Sequence, residues 1–170
     1  MALVVETGDG IDGANSYVTL DELRTYASSR GVTLSTDDNT VEIDSTKAMD
    51  YLETFRSKFQ GVKTDSDNPL QFPRKSVYID NVLVDDDHIP IELKNAQCQL
   101  VVEIHNGIDL QPSVKGGDRR VVIERRVEKA VTRKFSDKSF KSVLPDLKKF
   151  EKIIQPLLKR SGFGFVNQRV

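Results

Sequence analysis

The sequence predicts a mainly α fold, with about four helices in a small bundle, a β-hairpin or extended strand arm, and extended N- and C-terminal segments. The chain has 170 residues, of which 38% are hydrophobic and 30% charged, and this composition suits one globular domain and excludes a disordered protein. Four segments place apolar residues three and four positions apart, as helices do, and one segment alternates with period two, as a strand does.

The N-terminal part predicts a short strand followed by a capped helix. Residues 2–6 are β-prone, and the glycine-rich run that follows them cannot continue the strand. Thr19 and Glu22 have the spacing of a capping box, in which each side chain bonds the backbone N–H of the other residue. The first helix is therefore expected at about residues 20–30, and Gly31 ends it.

A second helix is expected from near Val41 to Gly61, after a polar turn at residues 33–40. Its apolar face consists of Ala48, Met49, Leu52, Phe55 and Phe59. Two prolines make residues 63–84 an ordered loop, with a short hairpin around Asp80–Asn81.

Two further helices follow. Pro90 suits the first turn of a third helix that ends at residues 106–107, and Pro156 must kink or interrupt a fourth helix at about residues 144–160, because proline has no N–H to donate. The apolar residues of the third helix are Leu93, Ala96, Leu100, Val101 and Ile104. Those of the fourth are Leu147, Phe150, Ile153, Ile154, Leu157 and Leu158.

Between these two helices, residues 119–136 are expected to form a β arm. Residues 127–135 alternate and are rich in β-branched side chains, and they can pair with residues 121–124. The arm is basic and carries Arg125, Arg126, Lys129, Arg133 and Phe135, a composition that superficially suits phosphate contacts and base stacking. Acidic residues interrupt it, however, and a strand distributes its charges over two faces, so direct DNA contact stays only an alternative.

Candidate catalytic and metal-binding residues are scarce, and no enzyme, metal site or cofactor is predicted. Residues 8–13 match the Gly-x-Gly-x-x-Gly pattern of dinucleotide-binding proteins, but no βαβ unit is predicted around them. The run of residues 85–87 is acidic and is expected to be a solvated loop. The single cysteine, Cys98, is expected to be a buried or inert thiol in a reducing interior. No membrane-spanning or secretory segment is predicted, and neither His88 nor His105 has a ligand-spaced partner.

Charge is divided unequally along the chain. Residues 1–114 carry 9 basic against 20 acidic side chains, a net charge of −11, whereas residues 115–170 carry 16 against 6, a net charge of +10. Such asymmetry suits a subunit whose acidic face meets the basic face of a neighbour, although charge compensation within one fold explains it equally well. The tail, residues 161–170, is expected to dock on another chain, with disorder as the alternative.

Several motifs carry a resemblance to a known family. These are the opening Leu-Val-Val-Glu-Thr-Gly-Asp-Gly, the segment Gly-Ala-Asn-Ser-Tyr-Val-Thr-Leu that contains Asn15, Ser16 and Tyr17, the element Leu-Gln-Phe-Pro-Arg that contains Phe72, Pro73 and Arg74, and the pair Ile89 and Pro90 before a helix. The chain resembles a phage family labelled DnaT-like single-stranded-DNA-binding, which is similar to the head-to-tail connector proteins of long-tailed phages. Phe72 stands where that family has Trp.

The resemblance implies a structural protein of the phage neck, made in the bacterial cytoplasm. It implies a self-assembled ring, expected to be dodecameric, that lies below the portal protein, extends the DNA channel and carries the stopper or tail-completion protein. Genomic DNA would pass through it without sequence recognition, and no membrane is involved. Residues 1–160 would be one connector domain. The tail residues Phe163, Phe165, Val166 and Arg169 would bind the portal, and the basic arm would contact other subunits.

The alternative function is that of a replication accessory protein that binds single-stranded DNA, as the family label suggests. Salt dependence of DNA affinity distinguishes it from a connector, because DNA binding by basic residues releases counterions.

Overall fold

A computed structural model of the chain describes residues 2–112, 122–128, 130–135 and 145–159, with the two strands between 122 and 135 described by their backbone alone. The described helices are α1 (Leu20–Ser28), α2 (Asp38–Glu53), α3 (Ile91–His105) and α4 (Lys148–Ile154), followed by a 3₁₀ turn (Gln155–Leu157). The described strands are β1 (Val62–Lys63), β2 (Arg74–Lys75), β3 (Tyr78–Ile79), β4 (Val82–Leu83), β5 (Val122–Glu128) and β6 (Ala130–Phe135). None of the described helices is long and apolar enough to span a bilayer.

The expected mainly α bundle is wrong, because the architecture mixes α and β structure. The strands form three antiparallel pairs, β1 with β2, β3 with β4 and β5 with β6, of which the last two are hairpins. Helix α2 ends at Glu53, well before Gly61, and α4 has only 7 residues. Non-helical residues therefore complete the core, and Tyr17, Phe72 and Val77 are fully buried among the helices.

The start of α1 confirms the predicted capping box. The hydroxyl of Thr19 accepts the N–H of Glu22 at 3.2 Å, and the Glu22 carboxylate accepts the N–H of Thr19 at 2.7 Å. Helix α2 begins earlier than predicted because Asp37 caps it, accepting the N–H of Thr40 at 3.1 Å.

Helix α3 lies at the centre of the fold and packs against α1, α2 and α4. Residues 96–102 are all buried, so the helix is covered on every side rather than along one stripe. It ends before Asn106, as the sequence predicts, and begins at Ile91, with Pro90 as its N-cap rather than within its first turn.

The predicted interruption at Pro156 is confirmed, since the α-helix stops at Ile154 and the chain continues as a 3₁₀ turn. The hairpin around Asp80–Asn81 is also confirmed, with φ values of 50° and 66° at the two turn residues. A hairpin is present in the arm, as β5 with β6, but the predicted single strand at residues 127–135 is wrong, because β5 ends at Glu128 and β6 begins at Ala130. The N-terminal strand prediction is wrong, because residues 2–6 make one isolated bridge, between Val5 and Ser16.

Candidate functional site

The family motifs converge in the interior of the protein. The hydroxyl oxygen of Tyr17 accepts the N–H of Phe72 at 3.1 Å, although 55 positions separate the two residues. Burial raises the pKa of the Tyr17 phenol far above its usual range, so the hydroxyl stays protonated. The side-chain oxygen of Asn15 accepts the N–H of Val4 at 2.8 Å. These bonds join the motif of Val4, the motif of Asn15 and Tyr17, and the motif of Phe72. The three motifs therefore form one structural unit rather than an exposed binding surface.

Gln97 of α3 connects this unit to the helices. Its side-chain oxygen accepts the N–H of Tyr17 at 2.9 Å, and its amide nitrogen donates to the hydroxyls of Ser16 at 2.8 Å and Ser45 at 2.9 Å. Gln97, Ser16 and Ser45 are completely buried. This network was not predicted from the sequence, in which a glutamine within an otherwise apolar helix face was the available signal.

The glycine-rich loop after the first segment binds a carboxylate of its own chain. Glu6 is completely buried, and its two oxygens accept the backbone N–H groups of Gly8, Gly10 and Ile11 at 2.8–3.0 Å. The side-chain amide of Asn68 donates a fourth hydrogen bond at 3.1 Å. Converging backbone N–H groups form an anion site, and Glu6 fills this one. Residues 8–13 therefore form a structural loop, whose N–H groups bind a carboxylate of the same chain.

Arg74, the last residue of the Leu-Gln-Phe-Pro-Arg motif, is buried, and its hydrogen-bond partners are neutral. Its guanidinium donates to the carbonyl oxygen of Gln60 at 2.7 Å and to that of Gly61 at 2.9 Å. It lies 5.9 Å from the centres of the Phe59 and Phe72 rings. Burial lowers the pKa of Arg74 from its usual range. Its donors bond to groups of the same chain, so Arg74 is not placed to contact a phosphate.

The candidates for metal or thiol chemistry are unsuited to it. Cys98 is buried, and this burial raises the pKa of its thiol to about 12, so the thiol is protonated and unreactive at neutral pH. Residues 85–87 are exposed, as expected, and so are His88 and His105. Across the described ranges, no group of three or more His, Cys, Asp or Glu side chains is arranged to hold a metal ion. Ile89 is buried and helps to position the start of α3.

Exposed apolar side chains cluster on the small strands. Tyr78 of β3 is 52% exposed and Leu83 of β4 is 54% exposed, and the two are directly paired in register. A cleft of about 590 Å³ lies beside them and is lined by Gln60, Gly61, Ser76, Tyr78, Asn81 and Lys159. The sequence did not predict a binding surface at these residues. We call Tyr78, Leu83 and this cleft the hairpin surface.

The basic arm is an antiparallel hairpin in which Arg125 pairs with Arg133 and Arg126 pairs with Thr132. The backbone register therefore places two arginines at directly paired positions. Phe135 pairs with Val122 at the base of the hairpin. Lys129 and the predicted portal-binding residues Phe163, Phe165, Val166 and Arg169 lie outside the described residues.

Comparison with curated proteins and with solved structures finds no match to this chain. A family model described as "Putative DnaT-like ssDNA binding protein" matches residues 1–170. The motifs that carried the resemblance thus lie within a match over the whole sequence, and in the fold they hold its interior together. The chain belongs to this DnaT-like family.

Proposed function

We propose that the protein is a connector subunit of a phage neck, which assembles with copies of itself into a ring below the portal. The observation that carries the proposal is the unequal charge of two parts of the chain: an acidic body, residues 1–114, and the remainder, which contains the basic arm and α4. Residues 1–114, which include α1, α2 and α3, have a net charge of −11, and the basic excess lies in the remainder of the chain. Opposite charges on different parts of one subunit favour head-to-tail contacts, and such contacts form a ring when the rotation from one subunit to the next closes.

The acidic body also suits a channel through which DNA passes. Like charges repel, so a wall rich in carboxylates lets a DNA duplex slide without binding tightly. The exposed acidic residues of the body include Asp9, Asp12, Asp65, Asp67, Asp85, Asp86 and Asp87. We expect such residues to face the channel and the basic arm to contact a neighbouring subunit.

Five of the described aromatic residues give little support for base stacking. Tyr51, Phe55 and Phe150 pack edge to face with ring centres 5.4–5.6 Å apart, and Phe59 and Phe72 form a similar pair at 5.3 Å. Single-stranded DNA is bound by exposed aromatic rings within a positive groove. The rings of these five residues instead contact one another in and around the core.

The second candidate function is single-stranded-DNA binding in replication, and the family description favours it directly. That description names DNA binding and does not mention a ring or a portal. The arm is the part of the chain best suited to this function, because Arg125 and Arg133 are directly paired and Arg126 is adjacent. Basic residues at this density can neutralise phosphates.

Fluorescence anisotropy with a labelled oligothymidine separates the two functions. A connector is expected to show no tight binding at about 150 mM salt, whereas a DNA-binding protein should bind and lose affinity steeply as salt rises. The variant Arg125→Ala with Arg133→Ala should abolish any such binding, and Arg56→Ala, which removes an exposed charge from the body, serves as the control. Tight binding that depends on the arm and on salt would establish the second candidate and overturn the first.

Electron microscopy of portal-bearing capsids tests the connector function itself. Capsids incubated with the protein should gain a ring of density at one vertex. A chain lacking residues 162–170 should fold but fail to join the capsids, because it lacks the apolar residues expected to bind the portal. Full assembly by the shortened chain would contradict the role of the tail.

A further inference from the structure

The described part of the chain ends beside the hairpin surface. The N–H of Lys159 donates to the carbonyl of Lys58 at 2.8 Å, and the N–H of Gln60 donates to the carbonyl of Leu157 at 2.9 Å. These bonds form an antiparallel bridge between Phe59 and Leu158. Because Lys159 also lines the cleft, the tail begins at the edge of the hairpin surface.

Gln60 fixes the relative position of the chain end and the hairpin. Its side-chain amide donates to the carbonyl of Pro156 at 2.7 Å and to that of Tyr78 at 3.2 Å, and its side-chain oxygen accepts the N–H of Tyr78 at 3.2 Å. One side chain thus joins the segment leading into the tail to strand β3. The starting point of the tail relative to Tyr78 is therefore well defined.

The tail has apolar residues within reach of this surface. Phe163 is the fourth residue after Lys159, and Phe165 and Val166 follow it. The four residues from Lys159 to Phe163 span at most about 14 Å, which is enough for Phe163 to reach across the cleft. So short a tether gives an effective local concentration in about the millimolar range, above that of a second subunit in dilute solution. Contact between the phenylalanine rings of the tail and the ring of Tyr78 would remove apolar surface from water, which is favourable.

We infer that residues 160–170 fold back on their own subunit in the free protein and cover the hairpin surface, with Phe163 against Tyr78. The contact is independent of the proposed connector function, since it involves one chain alone. It keeps apolar residues of the tail and of the hairpin out of water until a partner competes for either of them.

Fluorescence of a single tryptophan tests this contact, because the chain contains no tryptophan of its own. Phe163→Trp in the full chain should give blue-shifted emission and several-fold weaker quenching by acrylamide than Val170→Trp at the end of the same tail. Adding Tyr78→Ser and Leu83→Ser should remove the difference. Ile43→Ser, which removes a similarly exposed apolar residue from α2, should leave it unchanged. Equal quenching of the two tryptophans would overturn the inference.

Two further measurements complete the test. The emission should not change with protein concentration, and a concentration-dependent shift would place the tail on a second copy and refute the intramolecular contact. Hydrogen exchange of the full chain should show slower exchange at residues 78–83 than in the variant Phe163→Ser with Phe165→Ser, whose hairpin is unaltered. Unchanged exchange at these residues would refute the contact, and exchange in α1 serves as the control.

Discussion

At the scale of single residues, the carboxylate of Glu6 holds the loop at residues 8–13. Replacing it with glutamine keeps the shape of the side chain but turns one acceptor oxygen into a donor. Glu6→Gln would then leave either the N–H of Ile11 and the amide of Asn68, or the N–H groups of Gly8 and Gly10, facing another donor. We expect a loss of about 3 kcal/mol in the free energy of unfolding, measured by urea denaturation.

Asp12→Asn is the matched control for Glu6→Gln, because Asp12 is an exposed carboxylate in the same loop. Its free energy of unfolding should stay within about 0.5 kcal/mol of the wild-type value. Equal effects of the two substitutions would show that the buried hydrogen bonds of Glu6 do not determine the stability of the loop.

Gly8 has both an unusual backbone conformation and no space for a side chain. Its φ is +118°, and a Cβ there would lie 1.7 Å from the carbonyl oxygen of Asp87. Gly8→Ala should therefore cost about 3 kcal/mol or more. Gly13 also has a positive φ, +70°, but has no neighbour within 4 Å, so Gly13→Ala should cost only about 1–2 kcal/mol. Thermal unfolding of the two variants separates steric overlap from backbone strain, and equal losses would contradict the close contact with Asp87.

At the scale of elements, the sequence predicts what local interactions determine. The capping box of Thr19 and Glu22, the interruption at Pro156 and the turn at Asp80–Asn81 depend on neighbouring residues, and all three are confirmed. The end of α2 could not be predicted, because the apolar spacing continues to Phe59 while tertiary contacts decide where the helix stops. Phe55 packs against Phe150, which is distant in sequence. The same limit hid the burial of Arg74, because its partners are backbone carbonyls.

The contact between α2 and α3 includes a polar link that can be tested. Gln97→Leu leaves the buried N–H of Tyr17 and the hydroxyl of Ser45 without their partner. Since an unpaired buried donor is costly, we expect a loss of about 2–3 kcal/mol in the free energy of unfolding. Urea denaturation should show a lower midpoint with an unchanged slope. Gln155→Leu, at an exposed position after α4, should have little effect, and a similar loss there would show that Gln97 contributes nothing specific.

At the scale of the whole molecule, the two differently charged parts of the chain determine how subunits are expected to meet. If the basic arm contacts the acidic body of a neighbour, charged side chains at the edge of that interface are exposed to solvent. Salt then screens the attraction between them. Assembly on portal-bearing capsids should then weaken as NaCl rises from about 50 to about 500 mM, because the Debye length shortens several-fold over this range. The number of bound copies per capsid, measured by gel densitometry, reports this directly.

Charge reversal in the arm gives the matched variant for this last prediction. Arg125→Glu with Arg133→Glu places two carboxylates at paired positions of the hairpin, so it should reduce incorporation into capsids several-fold even at low salt. Arg56→Glu changes the body by the same kind of substitution at an exposed site and should assemble normally. The arm would have no electrostatic role between subunits if incorporation were insensitive both to salt and to its charge. If incorporation fell in both variants, net charge would be the cause, because a specific contact of the arm predicts a loss only in the arm variant.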